Sequence, residues 1–125
     1  MIFAINSFIQ LFTSDKTLEI SFHSMHLRNI CLIQSYADEV LGAALSEKLI
    51  SRLFDIKAIE NVWELPVGRP VLCFQHAEEY IIIKLDSKVS MGFICVHAKP
   101  PKNEDDSIDW KAVRRIKLMF IGEEK

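Results

Sequence analysis

The spacing of hydrophobic residues changes from helical to strand-like midway along this 125-residue chain, and that change constrains the fold more than any other feature. Apolar residues follow a helical spacing from Met25 to about Trp63, whereas β-branched and aromatic residues fill short runs between Val71 and Ile121. An alternating segment, Thr17 to Phe22, precedes the helices and indicates one strand. The order β, α, α and then three or four antiparallel strands predicts an α+β domain, in which two helices pack on one small twisted antiparallel sheet.

Two helices are predicted in the first half of the chain. The first, Met25 to Leu41, ends at Gly42, a residue type that commonly stops helices. The second, about Leu45 to Trp63, carries one apolar stripe. Lys48 and Arg52 lie beside this stripe, and we expect both side chains to be solvated.

The predicted strands of the second half share a high content of β-branched and aromatic residues, and they are Val71 to His76, Tyr80 to Leu85, Val89 to His97 and Val113 to Ile121. Short polar turns separate the first three, and a loop with two prolines and a cluster of acids precedes the last. Alternation in the last strand predicts that Ile116, Leu118 and Phe120 share one face. Phe74 and Tyr80 are expected to pack in the core, although aromatic rings at such positions can also stack on RNA bases.

Charge and motif content restrict the function. The net charge is −2, so any anion-binding role must depend on a local positive patch. Motifs for phosphate cradling, zinc proteolysis and esterase chemistry are absent, so no cofactor or metal is predicted. The odd cysteine count, with Cys31, Cys73 and Cys95 each inside an apolar run, favours reduced thiols in a cytoplasmic protein.

The first 16 residues, which include MIFAINSFIQLFTSD, form an apolar N-terminal extension to a single domain of residues 17–125. The extension lacks the basic region and cleavage site of a signal peptide, and it is too short for a membrane-spanning helix. No membrane interaction is therefore predicted. The extension is a candidate contact for a homo-oligomer or for another protein.

Two segments resemble one known family. LSEKLISRLFDIKAIENVWELPVGRP (Leu45–Pro70) and KPPKNEDDSIDWKAVRRIKL (Lys99–Leu118) are similar to RelE/HigB-type toxins of bacterial toxin–antitoxin systems, in particular to the plasmid maintenance "killer protein" branch. The order and spacing of the elements agree from about Thr17 to Ile121. We expect Ile108 and Trp110 of the second segment to pack on the core and anchor the acidic loop.

The resemblance implies a cytoplasmic mRNA interferase, a ribosome-dependent endonuclease that inhibits translation and is neutralised by a cognate antitoxin. Its partners would be that antitoxin and mRNA on the ribosome. In such cleavage a base takes the proton of the 2′-OH, a cation holds the phosphate, and an acid protonates the leaving oxygen. By correspondence with the family, the catalytic candidates are Arg69, His76 and Lys88, and the RNA-binding candidates are Arg115 and Lys117.

The chain departs from the family pattern at two places. SKVSMGFICV stands where HPYRLIF is typical, and the chain ends in IGEEK where the family has a tail with tyrosine or histidine. These departures leave a second interpretation open: a catalytically degenerate RelE-fold homologue that binds or regulates a protein partner without cleaving RNA.

Overall fold

The computed structural model describes residues 17–123 of the chain. The predicted N-terminal extension, and the oligomer contact proposed for it, lie outside the described residues. The regular elements are the strands β1 (Glu19–Phe22), β2 (Val71–Gln75), β3 (Glu78–Lys84), β4 (Val89–Cys95) and β5 (Arg115–Glu123), and the helices α1 (Met25–Leu32), α2 (Gln34–Leu41) and α3 (Ala43–Lys57).

The described residues form an α+β structure with a single five-stranded sheet in the order β1-β5-β4-β3-β2. The strands β2 to β5 run antiparallel to their neighbours, but β1 lies parallel to β5, with Ile20 opposite Ile116. The sheet is therefore mixed, and the prediction of a purely antiparallel sheet is wrong. The reason is topological, because the helices carry the chain from β1 to the far edge and three antiparallel turns then bring β5 back beside β1.

Three helices are present where two were predicted, because the first predicted helix is broken at Ile33. This residue is extended (φ −123°, ψ 105°) and separates α1 from α2. The break directs Ala37 into the core, and the Tyr36 hydroxyl lies 2.6 Å from Nδ1 of His26 on α1. No proline or glycine marks this position. The predicted stop at Gly42 is confirmed, since α2 ends there with φ +86°.

The third helix is shorter than predicted. It ends at Lys57, and a separate 3₁₀ turn, Val62–Glu64, follows it. The Asn61 side chain accepts a hydrogen bond from the Trp63 N–H (3.0 Å) and caps this turn. A separate, capped 3₁₀ turn therefore occupies the last part of the predicted helix.

The main core lies between the helices and one face of the sheet, which we call the inner face. Its largest sheet residues are fully buried: Ile81, Ile83, Met91, Phe93, Ile116 and Leu118. They pack with Leu27 and Ile30 of α1 and with Leu49 and Ile56 of α3. Burial of this apolar area supplies most of the driving force for folding.

A β-bulge changes the alternation in β5. Phe93 pairs with Leu118 and Gly92 pairs with Phe120, so Met119 is an additional residue on β5. As a result, Phe120 packs on the opposite face from Leu118. The prediction that these two residues share a face is therefore wrong, because simple alternation does not anticipate the additional residue.

The acidic loop between β4 and β5 is anchored as predicted. Trp110 is buried, and Ile108 packs against the main core. The Glu79 carboxylate accepts hydrogen bonds from the Ile108 N–H (2.8 Å) and from the Trp110 indole N–H (3.1 Å). Because both carboxylate oxygens are used, Glu79 holds the loop on the sheet.

Across residues 17–123, none of the helices has the length and apolar character needed to cross a membrane. Cys31 is buried, and its burial raises the thiol pKa to about 12. Because the thiolate is the reactive form, this cysteine behaves as an inert core residue.

Candidate functional site

The face of the sheet opposite the helices, which we call the outer face, is not covered by another layer of described structure. Its middle is a small apolar cluster of Tyr80, Ile82 and Ile94, flanked by partly buried Phe120. The Tyr80 and Phe120 rings lie 6.3 Å apart, centroid to centroid. The prediction that Tyr80 packs in a core is confirmed.

Phe120 lies directly over Gly92. A Cβ atom built on Gly92 would lie 2.1 Å from Cε2 of the Phe120 ring, so only glycine allows this approach. The glycine therefore permits Phe120 to cover the outer face, and the ring shields β4 from solvent. Polar and charged side chains surround this apolar middle.

His76 lies at one side of the outer face. Together with Gln75 and the β5 residues Phe120 to Glu123 it lines a depression of about 640 Å³, here called the His76 depression. His76 and Ala77 have positive φ angles (51° and 61°), as a two-residue hairpin turn requires. The turn therefore precedes Glu78, and β3 begins two residues before the predicted start at Tyr80.

Lys88 lines a second depression of about 400 Å³, here called the Lys88 depression, together with Lys84, Ser87, Ser90 and Glu123. The turn that carries Lys88 is fixed by Asp86, whose Oδ1 accepts hydrogen bonds from the N–H groups of Lys88 (2.8 Å) and Val89 (2.7 Å). These two hydrogen bonds lower the Asp86 pKa. Glu123 lines both depressions, so they adjoin at the end of β5.

Arg69 is exposed and lies at the same end of the sheet as Lys88. The Gly68 carbonyl accepts a hydrogen bond from the N–H of Lys84 (2.7 Å), which joins the Gly68–Arg69 turn to the end of β3. Gly68 has φ +110°, and a Cβ atom there would lie 2.8 Å from Cγ2 of Ile83. Close packing against Ile83 and the positive φ angle therefore both favour glycine at this position of the LPVGRP segment.

Arg52 supports this turn from below. The prediction that Arg52 is solvated is wrong, since the residue is 7% exposed. Its Nε donates to the carbonyl of Lys84 (3.1 Å), and its Nη1 lies 3.9 Å from Asp55. The signal was present in the sequence, because Arg52 lies three residues after Leu49 and four before Ile56 on the buried stripe. Lys48, by contrast, is exposed as predicted.

Arg115 and Lys117 lie towards the opposite end of β5. The Arg115 Nε forms an exposed ion pair with Glu19 of β1 (3.3 Å), and Lys117 is opposite Ser21 of the same strand. Eight residues separate Arg115 from Glu123, which is about 26 Å along an extended strand. Arg69 and Lys88 lie at the Glu123 end of the sheet. His76 follows Gln75 at the other end of β2, in line with the Arg115 end of β5, and only its depression extends to Glu123.

His97 links β4 to the start of β5. Its Nε2 accepts hydrogen bonds from the N–H groups of Arg114 (2.8 Å) and Arg115 (3.2 Å). Partial burial, Arg115 and Arg114 together lower the pKa of His97. The lowered pKa favours neutral His97, the form whose Nε2 can accept these hydrogen bonds.

Phe74, the aromatic residue of β2, is not buried as predicted. Phe74 was expected in the core, but it is 72% exposed on the edge strand of the sheet. Alternation indicated correctly that β2 is a strand, but edge position cannot be deduced from that pattern.

Comparison with known proteins gave no significant match, whether to a protein-family model, to a curated protein or to a solved structure.

Proposed function

We propose that this protein is the toxin of a bacterial toxin–antitoxin module, with a RelE/HigB-like fold, and that it acts in the cytoplasm as a ribosome-dependent mRNA endonuclease. The observation that carries the proposal is the open outer face, on which the depressions of His76 and Lys88 adjoin. RNA would lie across this face, and a cognate antitoxin would block it.

The exposed side chains that line the two depressions, together with Arg69, include the types of group that metal-free RNA cleavage needs. His76 is exposed, and its imidazole is proposed to act as a base for the 2′-OH or as an acid for the leaving 5′-oxygen. Lys88 and Arg69 are exposed cations suited to hold the attacked phosphate. The 2′-oxygen attacks phosphorus, the bond to the 5′-oxygen breaks, and that oxygen takes up a proton.

Arg115 and Lys117 are proposed to hold the RNA strand farther along β5, away from the reacting phosphate. Their distance from the end of β5 makes them positioning contacts for the backbone. Arg115 would have to exchange its ion pair with Glu19 for a phosphate, which costs little because both side chains are exposed.

A second function is favoured by one specific observation. The five cationic or titratable candidates do not converge on one point, because Arg115 lies far along β5 and is paired with Glu19. Glu123 also places a negative charge at both depressions, which repels phosphate. Under this alternative the protein is a RelE-fold homologue that binds a protein partner and does not cleave RNA.

Primer extension on an mRNA translated in vitro separates the two functions. If the protein is an endonuclease, new 5′ ends will form only in the presence of ribosomes. Replacing His76 by Ala should lower the cleavage rate by about 10²-fold or more, the usual contribution of a general acid or base. Lys88→Ala should lower it as well.

The matched controls are His23→Ala and Lys99→Ala, which remove an exposed histidine and an exposed lysine outside both depressions. Both variants should cleave at the rate of the unmodified protein. Intact mRNA with folded protein would contradict the endonuclease proposal and support the binding function. Equal loss in the controls would remove His76 and Lys88 from the mechanism.

A further inference from the structure

Strand β2 forms one edge of the sheet and is unusually apolar for an exposed edge. Eight large hydrophobic residues are exposed in the described part of the chain, and three of them lie in β2: Val71 (53%), Leu72 (49%) and Phe74 (72%). Edge strands usually carry a charge, a proline or a bulge that prevents pairing. Nothing of this kind lies between Val71 and Gln75, so the edge is open to another strand.

The hairpin turn determines which backbone groups of β2 face outwards. The two-residue turn at His76 and Ala77 makes the flanking pair, Gln75 and Glu78, a hydrogen-bonded pair. Pairs then alternate along the hairpin, so the N–H and C=O groups of Cys73 point towards β3. Those of Leu72 and Phe74 point to the free edge.

We propose that β2 pairs with β2 of a second copy of this chain, antiparallel and centred on Cys73. Leu72 of one copy then lies opposite Phe74 of the other, and the two symmetric pairs form four backbone hydrogen bonds. These bonds use every outward-pointing backbone group of Leu72 and Phe74. The five strands of each copy join into one ten-stranded sheet.

Side chains of the edge strand suit this pairing. Leu72 and Phe74 lie on the same face of β2, so each covers its counterpart across the two-fold axis. The strand ends are also complementary in charge. Arg69, just before β2, would approach the hairpin turn of the other copy, where the exposed Glu78 follows. A second copy therefore matches this edge in hydrogen bonding, in apolar contact and in charge.

The proposed register can be tested by disulfide formation between the two copies of Cys73. At the centre of the interface it forms a non-hydrogen-bonded pair with its own counterpart, at a Cα separation of about 4.5 Å. This separation lies within the range that a disulfide spans, about 4.4 to 6.8 Å. Cys31 is buried, and Cys95 lies on β4, two strands from this edge.

The experiment is sedimentation velocity of the full chain, together with mild oxidation by diamide. The proposal predicts a species of twice the 14.4 kDa chain mass and a disulfide-linked dimer on a non-reducing gel. Cys73→Ser should abolish the linked dimer, whereas Cys31→Ser and Cys95→Ser should retain it. Phe74→Lys should give a folded monomer, with folding checked by circular dichroism.

Met25→Lys is the matched control, since Met25 is 67% exposed and lies on α1. It should remain a dimer. A chain that is monomeric at all accessible concentrations would overturn the proposal and leave the edge to a strand of a different protein. A dimer that survives Phe74→Lys but is lost when residues 1–14 are deleted would place the interface in the N-terminal segment instead. Persistence of the linked dimer in Cys73→Ser would overturn the proposed register.

Discussion

The two faces of the sheet are built from the same kinds of residue but are covered in different ways. On the inner face, Ile83 and its neighbours are buried by three helices that come from a different part of the chain. On the outer face, Ile82 packs, among the described residues, with Tyr80 and Ile94 of the sheet, and Phe120 lies across Gly92. Within residues 17–123, one face of the sheet therefore carries the main core, whereas the other face carries a small cluster without a covering helix.

Neighbouring isoleucines on β3 provide the largest test of this difference. Ile83→Ala empties space below the helices and should lower the free energy of unfolding by about 4 kcal/mol, near the upper part of the range for buried isoleucine. Ile82→Ala should cost about 2 kcal/mol, because Phe120 and solvent-facing side chains can move into the space. Urea denaturation measures both. Equal costs would mean that the outer face is as firmly packed as the inner face.

Gly92→Ala tests the contact that covers the outer face. The new Cβ atom would overlap the Phe120 ring, so the ring must move, and overpacking of this kind costs about 1–3 kcal/mol. Gly122→Ala is the control and should change stability little, since nothing lies within 4 Å of its Cβ position. The double variant Gly92→Ala/Phe120→Ala should be less destabilised than the sum of the single variants. Additive losses would contradict the proposed overlap.

A substitution in the turn at His76 and Ala77, beside the outer face, is expected to stabilise the protein. Ala77 has φ +61°, a conformation that costs a residue with a Cβ atom about 1 kcal/mol. Ala77→Gly should therefore raise the free energy of unfolding by up to about 1 kcal/mol, measured by thermal or urea denaturation. Ala98→Gly, at an exposed loop position whose own φ is not positive, should not stabilise the protein. Destabilisation by Ala77→Gly would show that this backbone conformation is not maintained in solution.

The smallest expected effect is a pH dependence at His97. Its folded-state pKa lies below the ordinary value for histidine, so the unfolded chain binds more protons in the range between the two values. The stability contributed by neutral His97 is therefore complete above the ordinary histidine pKa and is lost as pH falls through the lowered folded-state value. The urea midpoint should fall across this window more in the unmodified protein than in His97→Gln, whose side-chain oxygen can still accept one hydrogen bond. Identical pH profiles would exclude His97 as the cause.

Local patterns in the sequence predicted the presence of the strands and helices more accurately than the residues at which they begin and end. β3 and β4 were located within two or three residues, because continuous β-branched runs have few alternatives. The break at Ile33 was missed, since an extended residue without proline or glycine leaves no local signal. The reversed face of Phe120 was missed because the β-bulge depends on the register with β4.

The candidate site was predicted only in part. His76 and Lys88 were selected by correspondence with a family, and the structure places them in adjoining depressions. The position of Glu123 between the two depressions was not predicted, because it depends on how the strands pair across the sheet. The buried position of Arg52 beneath the Gly68 turn was also missed, although the helical spacing contained it.

The sequence by itself determined the α+β character and the helix stop at Gly42, because both follow from residues close together in the chain. The burial of Trp110 followed from its large apolar side chain, but its hydrogen-bond partner Glu79 comes from a distant strand. Only the tertiary structure decided that β1 runs parallel to β5, that Phe120 covers Gly92, and that β2 is an exposed edge. These features depend on which segments meet across the sheet. Hydrophobic periodicity predicts that a residue will be buried. Which residue it packs against is decided only when segments distant in the chain pack together.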